Sequence, residues 1–137
     1  MTDKHEVLLP DGWPRPSGYS NGIAASGRLV FVAGQVGWDP ATETAVSEDF
    51  AEQTAAALDN VLAVLRAGGA RAEHVVRLTW FVTNLQAFQN ARAALGTVFR
   101  KRFGGHYPAM SVVRVAGLLE PGAMVEIEAT AVVPPDQ

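Results

Sequence analysis

Hydrophobic residues recur at helical spacing in two segments of the chain. In the first segment the pattern follows Ser47, whose side chain can cap a helix N-terminus, and it ends at Gly68 and Gly69. The second segment begins after Asn84, which can also serve as a cap, and runs to a basic cluster before Gly104. Basic residues at a helix C-terminus offset the helix dipole. The pattern therefore predicts two amphipathic helices, each with one apolar face.

Segments that are rich in β-branched and aromatic residues, or that alternate between apolar and polar residues, predict strands. They lie at about 18–25, 28–34, 74–83, 109–116 and 124–133. The first two are predicted to form a hairpin at Ser26 and Gly27, after a proline-rich extended lead-in. The order β-β-α-β-α-β-β predicts an α+β fold in which two helices pack on one face of a sheet.

The two helices leave the other face of this sheet uncovered. In the last strand Glu126, Glu128 and Thr130 share one face, while the residues between them are apolar. A single-layer sheet face that mixes apolar and polar residues is usually covered by another subunit. The pattern therefore predicts an oligomer.

Composition narrows the class of protein. The 137 residues fit one domain, residues 1–137, and 48% of them are hydrophobic against 18% charged. The net charge is −3, and the basic residues are scattered apart from the cluster at 100–102. This distribution argues against nucleic acid as a binding partner.

The cysteine and histidine content and the length of the apolar segments exclude several further classes of protein. Cysteine is absent, which excludes a thiol nucleophile, a disulfide framework and a cysteine-based metal site. The three histidines lie far apart and form no metal-binding motif, so no metal site is predicted. No segment has the character of a signal peptide or reaches about 18 unbroken apolar residues. We therefore expect a cytoplasmic protein with no membrane association.

Two groups of residues are candidates for catalysis or ligand binding. Glu126 and Glu128 are carboxylates on one face of an otherwise apolar strand. They either form a solvated face or, where a subunit covers them, include a proton carrier. Arg114 lies on the strand face of Met110 and Val112, and it either forms a salt bridge at an interface or binds an anion. The residue pattern leaves both alternatives open for each group.

Several motifs resemble the RidA (YjgF) family, also called the L-PSP endoribonuclease family. They are GYSNGI, VFVAGQVG, AALDNVLAVLRAGGA, HVVRLTWFVTNLQAFQNARAALGTVF, YPAMSVVRVAGLL and MVEIEATAVV, and they cover nearly the whole chain. The resemblance implies a chorismate-mutase-like fold that forms a homotrimer with a central barrel and with ligand clefts between subunits. It also implies an enamine or imine deaminase that needs no cofactor. In such an enzyme a cleft arginine grips the substrate carboxylate, and water releases ammonia and a 2-oxo acid.

Four positions match the family's functional residues. Tyr19 in GYSNG matches the cleft tyrosine, and Gly34 with Gln35 matches the Gly-Gln pair that ends the second strand. Glu126 matches the glutamate that holds or activates water. The resemblance therefore implies that Glu126 is catalytic and that the other three residues bind or orient the substrate.

Two positions depart from the family pattern. The signature arginine of the P-A-R-S motif is Met110 here, and an asparagine expected in the second helix aligns with Arg92. A thioether has neither the charge nor the N–H groups with which arginine binds a carboxylate. Either the substrate lacks that carboxylate, or another cation, Arg92 or Arg114, replaces the arginine. Met110 with Val112 also favours a more apolar cleft and a larger or less charged ligand.

The leading interpretation is an enamine or imine deaminase-like hydrolase whose substrate is a small metabolite other than 2-aminoacrylate. The alternative is a non-catalytic trimer that binds a small ligand or a partner protein, since the signature arginine is absent. Ribonuclease activity, which one family name suggests, ranks last because the chain is acidic and has no basic track.

Overall fold

The helices and the main strands follow the predicted order. The computed structural model describes residues 5–136 of the chain. Its strands are β1 (Glu6–Leu8), β2 (Gly22–Ala24), β3 (Arg28–Val36), β4 (Trp38–Asp39), β5 (Thr44–Ala45), β6 (Val75–Val82), β7 (Ala109–Arg114) and β8 (Val125–Val133). Its α-helices are α1 (Phe50–Ala67), α2 (Leu85–Asn90) and α3 (Arg92–Phe103), and a short 3-10 turn covers Ala72–His74.

Four strands form the main sheet, in the spatial order β3-β8-β6-β7. β8 is antiparallel to both of its neighbours, whereas β6 and β7 are parallel. α1 packs on β3 and β8 and against α3, and apolar residues of both helices join the core above the sheet. The predicted α+β fold with its helices on one face of the sheet is confirmed.

β8 alternates between two environments along most of its length. Val125, Ile127 and Ala131 are fully buried under the helices. Glu126 is half-buried and Glu128 is exposed, because successive side chains of a strand point to opposite faces. The faces predicted for this strand are confirmed.

The predicted hairpin between β2 and β3 is wrong. β2 pairs with β1, where Val7 lies opposite Ile23, and β3 pairs along its length with β8. At the turn, Gly27 has a φ of +146° and lies so close to β8 that a Cβ atom would overlap the carbonyl oxygen of Val133. The chain therefore enters β3 beside the end of β8. There β3 pairs with β8 over most of its length, and Val32 of β3 is buried in the core.

The sequence predicts Ser47 as the cap of α1, and this prediction is wrong because Asp49 occupies the cap position. The Asp49 carboxylate accepts a hydrogen bond from the Glu52 backbone N–H at 3.0 Å. Ser47 Oγ accepts one from the Asp49 backbone N–H at 2.9 Å and so stabilises the turn before the helix. A carboxylate at this position also interacts favourably with the positive end of the helix.

A buried glutamine joins the start of α1 to the loop before β8. Gln53 Nε2 donates to the carbonyl oxygens of Ser47 and Gly122 at 2.8 and 2.9 Å, and its Oε1 accepts from the Met124 N–H at 2.8 Å. Both polar atoms of this buried side chain therefore have partners. The contact fixes the entry to β8 and hence the position of Glu126, two residues after Met124.

The second predicted helix begins after Asn84, whose Oδ1 accepts a hydrogen bond from the Ala87 N–H at 3.0 Å, so this predicted cap is confirmed. The helix is divided at Ala91 into α2 and α3.

Among the helices of residues 5–136, none combines the length and the apolar character that crossing a bilayer requires.

His106 is a half-buried histidine between α3 and β7. Burial lowers its pKa below the ordinary value of 6.5, although the hydrogen bond from its Nε2 to the Val75 carbonyl oxygen, 2.7 Å long, opposes this shift. The folded chain therefore loses the His106 proton at a pH at which the unfolded chain still holds it.

We expect the free energy of unfolding to fall as the pH decreases from about 7.5 to about 5.5, because the unfolded chain then binds a proton that folded His106 does not. His106→Gln keeps a side-chain N–H for Val75 and should show a shallower pH dependence. Urea unfolding of both proteins across this range measures the difference. Equal slopes in the two proteins would contradict the role of His106.

Candidate functional site

A pocket of about 640 Å³ lies between the edge of the sheet and the helices α2 and α3. β6 and β7 form its floor, and residues 17–19 form one side. Four of the predicted site residues line it, namely Tyr19, Arg92, Met110 and Val112. This volume is typical of small-molecule sites. The pocket is therefore the candidate ligand site.

Aromatic rings form much of the pocket wall. Phe88 of α2 packs edge-on against Trp80 of β6 with ring centroids 6.1 Å apart, and Phe99 of α3 stacks with Tyr107 at 6.0 Å. All four residues line the pocket. The Trp80 indole nitrogen is buried and has no hydrogen-bond partner within residues 5–136. The walls thus offer mainly apolar contact to a ligand.

Hydrogen bonds of a buried serine hold Tyr19 at the pocket. The Ser20 N–H donates to the Pro108 carbonyl oxygen at 3.0 Å, and Ser20 Oγ donates to the Tyr107 carbonyl oxygen at 2.5 Å. Ser20 also forms a bridge to Ala109, the first residue of β7. Tyr19 is therefore fixed beside the start of β7, although its side chain remains exposed.

Met110 lies on the floor of the pocket, at the position where the resemblance implies an arginine. It is opposite Leu78 in the register of β6 and β7, so its side chain shares the helix-covered face with Leu78 and Trp80. The side chain is half-buried and packs against the core. It offers apolar contact to a ligand but no N–H donor for a carboxylate.

Two arginines of α3 line the pocket on either side of Gly96. Arg92, Gly96 and Arg100 are spaced four residues apart, which places them along one face of the helix. The Arg92 Cζ lies 5.8 Å from the Phe88 ring centroid, in a cation–π contact. Gly96 leaves room for the second arginine, since a Cβ atom there would be 3.1 Å from Arg100 Nη1.

Sequence reasoning missed Arg100, because it assigned the whole basic cluster to the helix dipole. In the structure, Arg100 and Arg102 of this basic cluster have different surroundings. Arg102 Nε and Nη2 donate to the Asp59 carboxylate at 2.8 and 3.1 Å and tie α3 to α1, whereas Arg100 lines the pocket. The eight-residue spacing from Arg92, which is about two helical turns, was the signal in the sequence that could have identified Arg100.

Glu126 and Gly34 lie together at a second position, and Gln35 follows Gly34 in β3, where it is opposite Ile127. Gly34 is in a bulge of β3, where the pairing with β8 shifts between Val32 and Gln35. The Glu126 carboxylate lies against this bulge, because a Cβ atom on Gly34 would be 2.6 Å from Glu126 Oε2. Residue 34 therefore has to be glycine for Glu126 to occupy this position.

The sheet separates this second group from the pocket. Glu126 lies between Val125 and Ile127, which are buried on the helix side, so its side chain is on the opposite face. Neither Glu126 nor Gly34 or Gln35 is among the residues that line the pocket. Within residues 5–136 of one chain, the predicted site residues therefore fall into two separate groups.

Arg114 belongs to neither group. It is the exposed last residue of β7, four residues and about 13 Å beyond Met110 along the strand. It does not line the pocket. Of the two cations that the sequence offers in place of the missing arginine, Arg92 lines the pocket and Arg114 does not.

The one-sided sheet and the pocket beneath α3 define the chain as an α+β protein with a candidate small-ligand site. A family model described as Endoribonuclease L-PSP matches residues 14–133. A RutC family protein of Pyrococcus horikoshii is 35% identical over 127 residues, which are 92% of this chain and 96% of that protein. The chain therefore belongs to the RidA (YjgF) family, as its motifs predict.

Two further comparisons support this assignment. The 2-iminobutanoate/2-iminopropanoate deaminase of Homo sapiens is 30% identical over 114 residues, which are 83% of this chain and 79% of that protein. The crystal structure of the Rid family protein YyfB from Yersinia pestis aligns with a TM-score of 0.83 and 33% identity, over 96% of this chain and 100% of that one. Family and fold are thus established together.

Proposed function

We propose that this protein is an enamine or imine deaminase-like hydrolase that releases ammonia and a carbonyl product from a small reactive metabolite other than 2-aminoacrylate. Family membership supports the reaction type, since the human relative is a 2-iminobutanoate/2-iminopropanoate deaminase. The observation that carries the proposal is the Glu126 carboxylate against the glycine of a strand bulge. A site-based argument is needed because a fold alone does not define a function.

Glu126 is the group proposed to move protons during hydrolysis. Its carboxylate takes a proton from water as the water oxygen bonds to the imine carbon, which then carries a hydroxyl and an amino group. Glu126 gives the proton back to that amino group, ammonia leaves with the electron pair of the carbon–nitrogen bond, and the hydroxyl group releases its proton to Glu126 or water as the carbonyl forms. An enamine follows the same course once its carbon has been protonated. The protonated imine is itself a strong electrophile, so the proposal includes no cofactor.

Met110 is the reason for excluding 2-aminoacrylate as the substrate. A three-carbon acid has few atoms that can contact an apolar wall, so it depends on a bidentate contact between its carboxylate and a guanidinium. Met110 cannot provide that contact at the floor, and a three-carbon acid held by the arginines at the mouth would leave the apolar part of the pocket unfilled. The proposed substrate is therefore a larger imine or enamine that gains binding energy from the apolar part of the pocket.

The proposed site uses two copies of the chain, because the pocket and Glu126 lie on opposite faces of one sheet. The face that carries Glu126 also presents Leu29 and Phe31, which are 55% and 71% exposed, together with the exposed Val113. Apolar surface of this kind is typical of an interface between subunits. We assign the assembly to a homotrimer in which Glu126 of one copy approaches the pocket of another.

Binding of a small ligand without catalysis is the second candidate function. The pocket has apolar walls and lacks the signature arginine at Met110, which favours this alternative. It predicts that a carboxylic acid binds while no imine is hydrolysed.

We expect the protein to release ammonia from a bulky 2-imino acid that an amino acid oxidase generates in situ, and to act poorly on 2-aminoacrylate. Glu126→Gln should lower the rate about a hundredfold or more, because it removes the proton acceptor. Gly34→Ala should also lower it, since the added methyl group displaces the Glu126 carboxylate. Met110→Arg should raise the rate on 2-aminoacrylate by restoring a guanidinium. The rate of ammonia release is measured for the natural protein and for the three variants.

Glu128→Gln is the matched control, since Glu128 is exposed two residues further along the same strand face. This variant should keep the rate of the natural protein. Absence of ammonia release from every imine, or equal rates for the natural protein and Glu126→Gln, would contradict the proposal.

We expect light scattering to give about three times the 14.6 kDa mass of one chain at micromolar concentration. Phe31→Lys should weaken the assembly, because it places a charge on the uncovered sheet face. Val64→Lys, on the exposed side of α1, should leave the mass unchanged. A monomeric natural protein would contradict the two-copy site.

A further inference from the structure

The mouth of the pocket carries two guanidinium groups without a carboxylate partner. Arg92 and Arg100 are exposed and line the pocket. Among residues 5–136, ion pairs join Arg71 to Glu73 and Arg102 to Asp59, and neither pocket arginine takes part in one. Arg92 Nη1 donates a hydrogen bond of 3.4 Å to the Gln89 amide oxygen, which is a neutral and exposed partner. An anionic ligand can therefore bind both guanidinium groups without breaking an ion pair.

The helix places these two groups so that they can converge on one anion. Their Cα atoms are two helical turns apart, about 12 Å, and both side chains extend from the same helix face. Because Gly96 has no side chain, Arg100 Nη1 can lie over the part of the helix that separates Arg100 from Arg92. Arginine pairs with carboxylate through two parallel hydrogen bonds, so this placement suits a carboxylate.

Below the arginines the pocket is apolar. Met110 and Val112 form part of the floor, and the rings of Trp80, Phe88 and Phe99 form the wall. The volume of about 640 Å³ is far larger than a three-carbon acid fills. An aromatic ring fits these surroundings, because rings and a thioether make favourable contacts with one another.

We infer that the pocket takes a 2-imino acid with an aromatic side chain, whose ring lies against Met110 and the aromatic wall and whose carboxylate is bound by Arg92 and Arg100. The imine part of this inference rests on the proposed function, while the aromatic carboxylate rests on the pocket alone. The carboxylate lies at the mouth rather than at the floor. The imine carbon, which is bonded to the carboxylate carbon, therefore also lies at the mouth, where a second copy of the chain can approach it.

Calorimetry with three unreactive probes tests the inference. We expect 3-phenylpropanoate to bind at least about tenfold more tightly than propanoate, which lacks the ring, and than 3-phenylpropanamide, which lacks the charge. Arg92→Ala and Arg100→Ala should each weaken binding of 3-phenylpropanoate about tenfold and leave binding of the amide unchanged. Met110→Arg should weaken it too, because the new side chain occupies the apolar floor.

Lys101→Ala is the matched control, since Lys101 is an exposed cation of α3 that does not line the pocket. It should bind 3-phenylpropanoate as the natural protein does. The substituted arginines are exposed, and thermal unfolding confirms that each variant is folded. The inference is overturned if both arginine variants bind like the natural protein, if the amide binds as tightly as the acid, or if no probe binds.

These binding results are independent of turnover. A protein that binds 3-phenylpropanoate through both arginines but hydrolyses no imine would keep this inference and overturn the proposed function. A protein that hydrolyses aliphatic imines but shows no preference for the aromatic acid would keep the proposed function and overturn this inference.

Discussion

The two-residue alternation of β8 is the constraint on which the arrangement of the site depends. Val125 and Ile127 must face the helices to complete the core, so Glu126 between them has to face away. A shift of the register by one residue would bury Glu126 in the core and expose its apolar neighbours. The pocket lies on the helix side of the sheet. One chain therefore cannot direct Glu126 into its own pocket, and a reaction that uses both requires a second copy.

Met110 gives the pocket an apolar floor. Position 110 is half-buried on the core side of an edge strand, where a thioether packs well. Charge then lies at the mouth, on Arg92 and Arg100, instead of on the floor. In this account the ligand lies with its charge at the mouth of the pocket and its apolar part against the floor.

Much of the fold could be predicted from the sequence because its main signals are local. The alternation in β8, the helical spacing in α1 and the cap at Asn84 each depend on neighbouring residues, and the structure contains all three. The pairing of β3 could not be predicted in this way. It depends on the close approach of Gly27 to Val133, a contact between residues more than a hundred positions apart.

The candidate site was predictable residue by residue but not as an arrangement. Family motifs indicate Tyr19, Glu126 and Met110, yet only the register of β6 with β7 and β8 shows that Met110 lies on the face of the sheet opposite Glu126. Arg100 was missed because its sequence neighbours suggest a helix-end charge. Its role depends on the gap at Gly96 and on the aromatic wall opposite, which are features of the packed structure.

The most direct test of a site shared between two copies is subunit mixing. Glu126→Gln and the double variant Arg92→Ala/Arg100→Ala each damage one of the two groups, so each alone should hydrolyse imines poorly. Co-expressed in equal amounts, they should recover about a quarter of the natural rate, because about one site in four then combines an intact Glu126 from one copy with an intact pocket from another. A mixture no more active than its two parent variants would contradict the account.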